Sequence, residues 1–372
     1  MKKPATALII GMLMANSSSA TDLEIMHEYQ SNPFRLSDSY TGSRLINTRL
    51  SHEESFELPK RREIQLSGEI DHEHFLDVSE ADNTFARIRG RLINRLKLGK
   101  RSASLLFTGD AGTKRYSYID QRTGAPLATS RGQDIRERFA YNFFKPSAEF
   151  TYRWSRELST GVFTAIERRD YVNDYDELGL EALDYTEITV QPTLRFKTEN
   201  SYSRAFVYQR QRDYDDRMID NLQGRNIAGT SLSLTLHGYG VSHRREMTEN
   251  WTLEAYLSGY RITDNGVGYS DMNATNLSIT SNHRFNQSRS LDLIGRCSVR
   301  NNENARFVDF EETEFGRERS GCQLTAGYEQ PIRNENKRLR WRVEATHGWE
   351  DNSEALRSFD QWGISFGVNY RW

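Results

Sequence analysis

The stretch Trp362-Gly363-Ile364-Ser365-Phe366-Gly367-Val368-Asn369-Tyr370-Arg371-Trp372 decides the fold. Trp362, Ile364, Phe366, Val368, Tyr370 and Trp372 occupy one parity; Gly363, Ser365, Gly367, Asn369 and Arg371 occupy the other. A period of two is that of an extended strand whose two faces meet different surroundings. A strand of a soluble sandwich would alternate in the same way. What separates the two is whether the pattern persists through the chain.

It persists. Leu339, Trp341, Val343, Ala345, His347 and Trp349 alternate with Arg338, Arg340, Arg342, Glu344, Thr346 and Gly348. The same holds for Trp251 to Tyr260, for Thr186 to Phe196, for Ala86 to Ile93, and for Leu232, Leu234, Leu236 and Gly238 against Ser233, Thr235 and His237. Sixteen strands are expected, at 22–31, 43–58, 62–76, 84–98, 102–118, 135–155, 161–172, 185–197, 202–215, 229–245, 251–263, 271–285, 290–300, 316–330, 337–349 and 358–372. Short polar turns and long connections alternate between them, and Trp251, Trp341, Trp349, Trp362 and Trp372 gather near strand ends. Both features suit a transmembrane barrel with aromatic girdles, short periplasmic turns and long outside loops. If the segment 21–61 is a weak hairpin or a periplasmic extension that stays outside the wall, fourteen strands remain. Parity breaks near Phe143 and Phe144, which predicts a bulge there.

Composition excludes several classes. The chain has 372 residues, 36% hydrophobic and 27% charged, with a net charge of −2 and a mean hydropathy of −0.76. Beyond residue 20 no run of 18 apolar residues exists, so no helix spans a membrane. The balanced charge argues against a nucleic-acid binder. Eighteen Tyr, 18 Phe and 6 Trp argue against disorder. Lys2 and Lys3, the apolar run Ala5 to Ala15, and the small residues up to Ala20 form a signal-peptide pattern, residues 1–20, with cleavage before Thr21 and one barrel domain over 21–372.

Cys297 shares its parity with Leu293, Gly295 and Val299, and Cys322 shares its parity with Leu324 and Ala326. Both therefore point outward on strands joined by one hairpin. A register that opposes Cys297 to Cys322 also opposes Gly295 to Leu324, within disulfide reach. It places Arg300 opposite Arg319 as well, which counts against it. A bridge and two free thiols both remain open.

These features resemble those of Gram-negative outer-membrane β-barrels of the porin kind, over nearly the whole chain after the signal pattern. The ending Phe366, Val368, Tyr370 and Trp372 resembles the terminal signal that the barrel-assembly machinery reads. The stretches Tyr29 to Leu36 and Tyr208 to Arg217 are loosely similar to barrels associated with exopolysaccharide secretion; the chain lacks the tetratricopeptide-like segment that several of those carry. The resemblance implies outer-membrane lipid as surroundings, and an export partner in the periplasm as a companion.

A barrel of this size encloses water unless loops plug it. Arg outnumbers Lys by 41 to 9. Inward parity collects Arg87, Arg89, Arg91, Arg95, Arg153, Arg195, Arg296, Arg338, Arg340, Arg342 and Arg371, with Tyr256 and Tyr260, against Glu149, Glu187, Glu254, Asp292, Glu329 and Glu344. Guanidinium forks match carboxylate, phosphate or sulfate oxygens. The expectation is therefore a channel for hydrophilic anions such as acidic oligo- or polysaccharide, with loop 119–134 folding inward as a constriction. The competing reading is that these Arg and Glu pair across strands and only stiffen the wall. A non-conducting structural or assembly barrel is a second alternative. A hydrolase is a third, with Asp71-His72-Glu73-His74 as its only candidate cluster. No catalytic residue, cofactor or metal site is assigned, since no nucleophile elbow, phosphate loop or paired-cysteine motif occurs.

Cleavage as predicted yields a mature chain whose first residue is Thr21, checked by intact mass after expression in a Gram-negative host; a product retaining Met1 would contradict it.

Overall fold

The computed structural model describes residues 17–33, 42–59, 61–119, 125–129, 131–172, 175, 178, 180, 182–286, 289–308, 314–333, 336–353 and 358–372. The signal pattern through residue 16, Phe34 to Leu36 and parts of the long loops lie outside them. Eighteen strands follow in chain order: β1 (Ser17–Gln30), β2 (Ser43–Leu58), β3 (Arg62–Phe75), β4 (Asn83–Leu98), β5 (Arg101–Tyr116), β6 (Tyr141–Arg153), β7 (Leu158–Tyr171), β8 (Tyr185–Lys197), β9 (Ser201–Tyr214), β10 (Ile219–Asp220), β11 (Asn226–Ile227), β12 (Ser233–Thr248), β13 (Trp251–Asp264), β14 (Met272–Asn286), β15 (Arg289–Val308), β16 (Glu314–Arg333), β17 (Asn336–Asn352) and β18 (Phe359–Arg371). All but β10 and β11 form one closed antiparallel barrel of 16 strands, each paired with its neighbour in the chain apart from the closing pair β1–β18. The first hairpin joins the wall, so the sixteen-strand reading holds and the fourteen-strand one does not.

The closing seam runs from Asp22 opposite Arg371 to Gln30 opposite Gly363. It is locked at one end by reciprocal backbone bonds of 3.0 Å between Thr21 and Trp372. Ser17 to Ala20 pair with β2 alone. The seam therefore uses nothing ahead of Thr21.

Parity sorts the side chains. Ile88 is 69% exposed, and Val207, Val299 and Phe366 are each above half. Single strands point these outward in every sector of the wall, an apolar band that only hydrocarbon satisfies. The inner face carries the charges. Among the described residues buried apolar side chains are few, and two clusters of them sit at the long-loop end. Leu45, Phe75, Ala81 and Ile119 form one; Tyr185, Tyr214, Ile219 and Leu232 form the other. Both clusters fasten loop residues onto inward-facing wall residues. Arg168 of β7 donates to Asp215, just past the end of β9, at 2.6 Å, and that bond holds the Asp215 carboxyl below the usual carboxylate range. The anchor is present above the ordinary Asp range and is lost as pH falls through the lowered value.

Three expectations need correction. The strand expected at 135–155 begins at Tyr141, because Ile135 and Ala140 turn into the loop and are buried there. No bulge occurs at Phe143 and Phe144: the pairing of β6 with β5 keeps one register from Lys114–Tyr141 to Ser102–Arg153, and its pairing with β7 keeps one on both sides of Pro146. Phe143 is instead an inward aromatic stacked on Phe85 at 6.3 Å, in space left by Gly112, where a Cβ would lie 2.7 Å from its ring. Finally, Leu234 and Leu236 share a parity opposite to exposed Tyr239 and Val241, so they face inward, and Leu234 packs against the cluster around Leu232.

Cys297 and Cys322 lie directly opposite each other and are bridged, with Cα atoms 4.1 Å apart. Arg300 does oppose Arg319, but Arg319 turns to Glu350 on the next strand, which relieves the like-charge contact.

Gly112→Val should destabilise the barrel by about 1–3 kcal/mol through overpacking. The check is the urea midpoint of protein refolded in micelles; an unchanged midpoint would contradict the inward Phe143.

Candidate functional site: the basic inner wall

Closing a sheet into a barrel forces a stagger, so rows of hydrogen-bonded neighbours wind around the wall instead of lying level. One inward row starts at the short-turn end with Ser102 and continues through Arg153, Ser159, Arg195 and Arg204. It climbs on through Ser242, Tyr256, Ser278, Arg296 and Gln323. At the long-loop end Gln361 donates to Gln30 across the seam at 2.8 Å. Four arginines thus sit on a single spiral track.

The expected lumen residues face inward, but they are not equivalent. Arg87 binds Glu69 at 2.6 Å, Arg89 binds Asp110 at 2.5 Å and Arg95 binds Glu63 at 2.7 Å. Arg195 binds Glu149, Arg340 binds Glu329 at 2.5 Å, Arg342 binds Glu344 at 2.6 Å and Arg371 binds Asp22 at 2.5 Å. Arg338 lies toward the short-turn end of β17. For the seven with a named partner the pairing reading holds: nearby carboxylates neutralise them. By contrast, Arg91, Arg153 and Arg296 make no ion pair with any described acidic side chain.

Two more unpaired cations, Arg204 and Arg300, escaped the sequence reading. The Nε atoms of Arg91, Arg204 and Arg300 are buried without a hydrogen-bond partner. On β9 the inward face holds Arg204, Phe206, Tyr208, Arg210, Arg212 and Tyr214, while Ala205 and Val207 face out. Large aromatics on the wet face hid the parity. The signal was across the hairpin: Gly238 and Gly240 of β12 leave the room that the Tyr208 and Phe206 rings fill, where Cβ atoms would lie 2.4 and 2.3 Å away.

Aromatics and cations interleave along this sector. Arg204 stands over Phe206 at 4.8 Å, Arg210 over Tyr208 at 5.0 Å and Arg212 over Tyr185 at 4.3 Å, while Arg212 also holds Glu187 at 2.8 Å. Such stacking fixes the guanidinium planes without consuming their charge. A cavity of about 700 Å³ opens beside Tyr256, Arg296, Arg319, Gln323 and Gln361. Tyr260 lies further along the same inward face of β13. A second cavity, of about 410 Å³, faces Arg49, Glu69, Arg87, Arg89 and Arg91.

Two long connections, those after β5 and after β9, pack onto inward-facing wall residues at the long-loop end. Ile119, at the root of the loop expected to fold inward, packs against inward Leu45 and Phe75. Residues 120–124 and 130 lie outside the described residues. The hairpin β10–β11, unforeseen, lays Ile219 and Ile227 against Tyr185, Tyr214 and Leu232. His72 and His74 share the face of exposed Leu66 and Ile70, so they look away from the lumen.

An apolar outer band around a polar lumen in a closed antiparallel wall defines a transmembrane β-barrel of the outer-membrane kind. No protein-family model matches the chain, and no curated protein matches it in sequence. Among solved structures it is similar to a loop-deleted OmpT, an outer-membrane protein of Vibrio cholerae, at 11% identity, with 96% of this chain and 99% of that one covered and a TM-score of 0.47. It is similar to OccK2 (OpdF) of Pseudomonas aeruginosa in complex with glucuronate, at 10% identity, 96% and 98% coverage and a TM-score of 0.47. It is also similar to an anion-selective porin from Comamonas acidovorans, at 10% identity, 96% and 99% coverage and a TM-score of 0.46.

Arg89→Gln should lower barrel stability by about 2 kcal/mol, because it leaves the Asp110 carboxylate without its main partner. Arg91→Gln should leave the unfolding midpoint unchanged. Equal effects of the two would contradict the division into paired and unpaired cations.

Proposed function

We propose that the barrel is a channel in the outer membrane of a Gram-negative bacterium that passes hydrophilic anions, with no chemical step. The observation that carries this is the set Arg91, Arg153, Arg204, Arg296 and Arg300, inward guanidinium groups that no described acid neutralises. In a water-filled lumen with a low-dielectric membrane around it such charges raise the local concentration of anions and lower that of cations. Arg87, Arg89 and Arg95 contribute less, their charge being spent on neighbouring carboxylates.

The cargo class we infer is acidic oligo- or polysaccharide. Tyr208, Tyr256 and Tyr260 offer ring faces beside Arg210 and Arg296, the combination of flat surface and planar fork that suits a uronic or phosphorylated sugar. The stretch Tyr208 to Arg217, loosely similar to secretion barrels, contributes Tyr208, Arg210, Arg212 and Tyr214 to this wall. Export with a periplasmic partner docked on the short turns follows from that resemblance. So does assembly through the machinery that reads Phe366, Val368, Tyr370 and Trp372. The two apolar clusters at the mouth favour one other reading, a closed barrel with a structural role, which would carry no current.

In planar bilayers under a salt gradient the wild-type barrel should show a reversal potential of the sign for anion preference. Joint replacement of Arg153, Arg204 and Arg296 by Gln should reduce that preference several-fold, and replacement of Arg87 and Arg89 should not. A potential unmoved by the triple change, or absence of current, would overturn the channel reading. Uronic-acid oligosaccharide should reduce the wild-type current more than a neutral one of equal length.

A further inference from the structure

We propose that His72, His74 and Asp82 form a binding site for one divalent transition-metal ion, zinc by preference, on the outer surface of the barrel at its long-loop rim. The site is independent of the lumen and of what passes through it. His72 and His74 are two apart on β3, so their imidazoles leave the same face; the rings lie parallel, 11° between planes and 6.4 Å between centres. After β3 the chain makes a 3-10 turn, Ser79–Ala81, and brings Asp82 back over the pair. One Asp82 oxygen lies 2.8 Å from His74 Nδ1, and the other accepts the Phe75 backbone N–H at 2.9 Å.

One ligating atom from each of the three residues lies within 4.8 Å of the other two. A tetrahedral zinc ion with bonds of about 2.0–2.2 Å needs its ligands roughly 3.3 Å apart. Side-chain rotation covers the difference, with no change in the strand. The ion would sit between His74 Nδ1 and the Asp82 carboxylate, in place of their direct contact. His74 is 43% and Asp82 31% exposed, so a fourth position stays open to water. Two imidazoles and one carboxylate favour zinc, nickel or copper over the all-oxygen ions calcium and magnesium. Outer partners are in place too: Thr84 Oγ1 lies 2.9 Å from His72 Nδ1, and the Phe75 N–H orients the carboxylate. Among the described residues no other cluster of three such groups exists.

The ion would tie a loop to the wall. Asp82 follows Ala81, which is buried with Leu45, Phe75 and Ile119 at the mouth, so a metal at Asp82 holds that turn against β3.

The test is zinc binding by the full mature barrel in detergent, without a histidine tag, measured as displacement of zinc from a chromophoric chelator. One zinc per chain is expected, with affinity at least tenfold weaker in Asp82→Asn and in His74→Ala. The double variant His72→Ala/His74→Ala sets the background from the six other histidines of the eight in the chain. A wild type that binds no more zinc than this double variant overturns the proposal, as does an Asp82→Asn barrel that binds like the wild type. Folding of each variant is read from heat-modifiable mobility in gels. Copper(II) on the wild type supplies a readout that needs no variant: spectral splitting from two imidazole nitrogens supports the site, and its absence overturns it.

Discussion

Everything in this molecule depends on the satisfaction of backbone hydrogen bonds where no water is present. In hydrocarbon each unpaired N–H or C=O costs several kcal/mol, so a sheet can cross only if its first and last strands meet. Here that meeting is the β1–β18 seam, fastened at one end by the Thr21–Trp372 pair. Closure removes the need for a dry interior. It explains how a chain of mean hydropathy −0.76 holds a single ordered shape with two small apolar clusters among the described residues.

Closure also turns the sheet inside out. The greasy residues become the outer surface, and the charged ones line a wet interior where they can pair or remain free. Nearby acids quench Arg87, Arg89, Arg95, Arg195, Arg340 and Arg342, stiffening that part of the wall. The spiral through Arg153, Arg204 and Arg296 is left with charge to spare. Shear makes that spiral: residues far apart in sequence fall on one track because every neighbour is displaced along its strand by a set amount. Rings of Phe206 and Tyr208, standing on β9 over the glycines of β12, hold the adjacent guanidinium groups in place without neutralising them.

Most of the wall was legible from the alternation of large apolar with small or polar residues, from 338–372 back to 84–98. The register of the cysteine hairpin followed from parity and index sums. Legibility failed where the wet face carries aromatics. Phe143 imitated a break in parity because it faces inward over Gly112, and the Arg204 face was missed because Phe206 and Tyr208 look like lipid-facing residues. Near the mouth, Leu234 and Leu236 reverse the rule by facing inward, and Leu234 packs against a folded loop instead of hydrocarbon. Neither Asp82 beside the histidine pair nor the β10–β11 hairpin against the wall can be read from spacing, because loop return is a tertiary event. Pairing between Arg and Glu was expected as a competing use of the charges; which arginines it spares depended on register two strands away.

The account rests on hydrocarbon outside and water inside, and the most direct measurement is the accessibility of single spin labels on the two faces in a reconstituted bilayer. Labels at Ile88 and Val207 should relax with lipid-dissolved oxygen, and labels at Arg91 and Tyr256 with a water-soluble nickel chelate. The same relaxation on both faces, or the reverse assignment, would contradict the barrel as described.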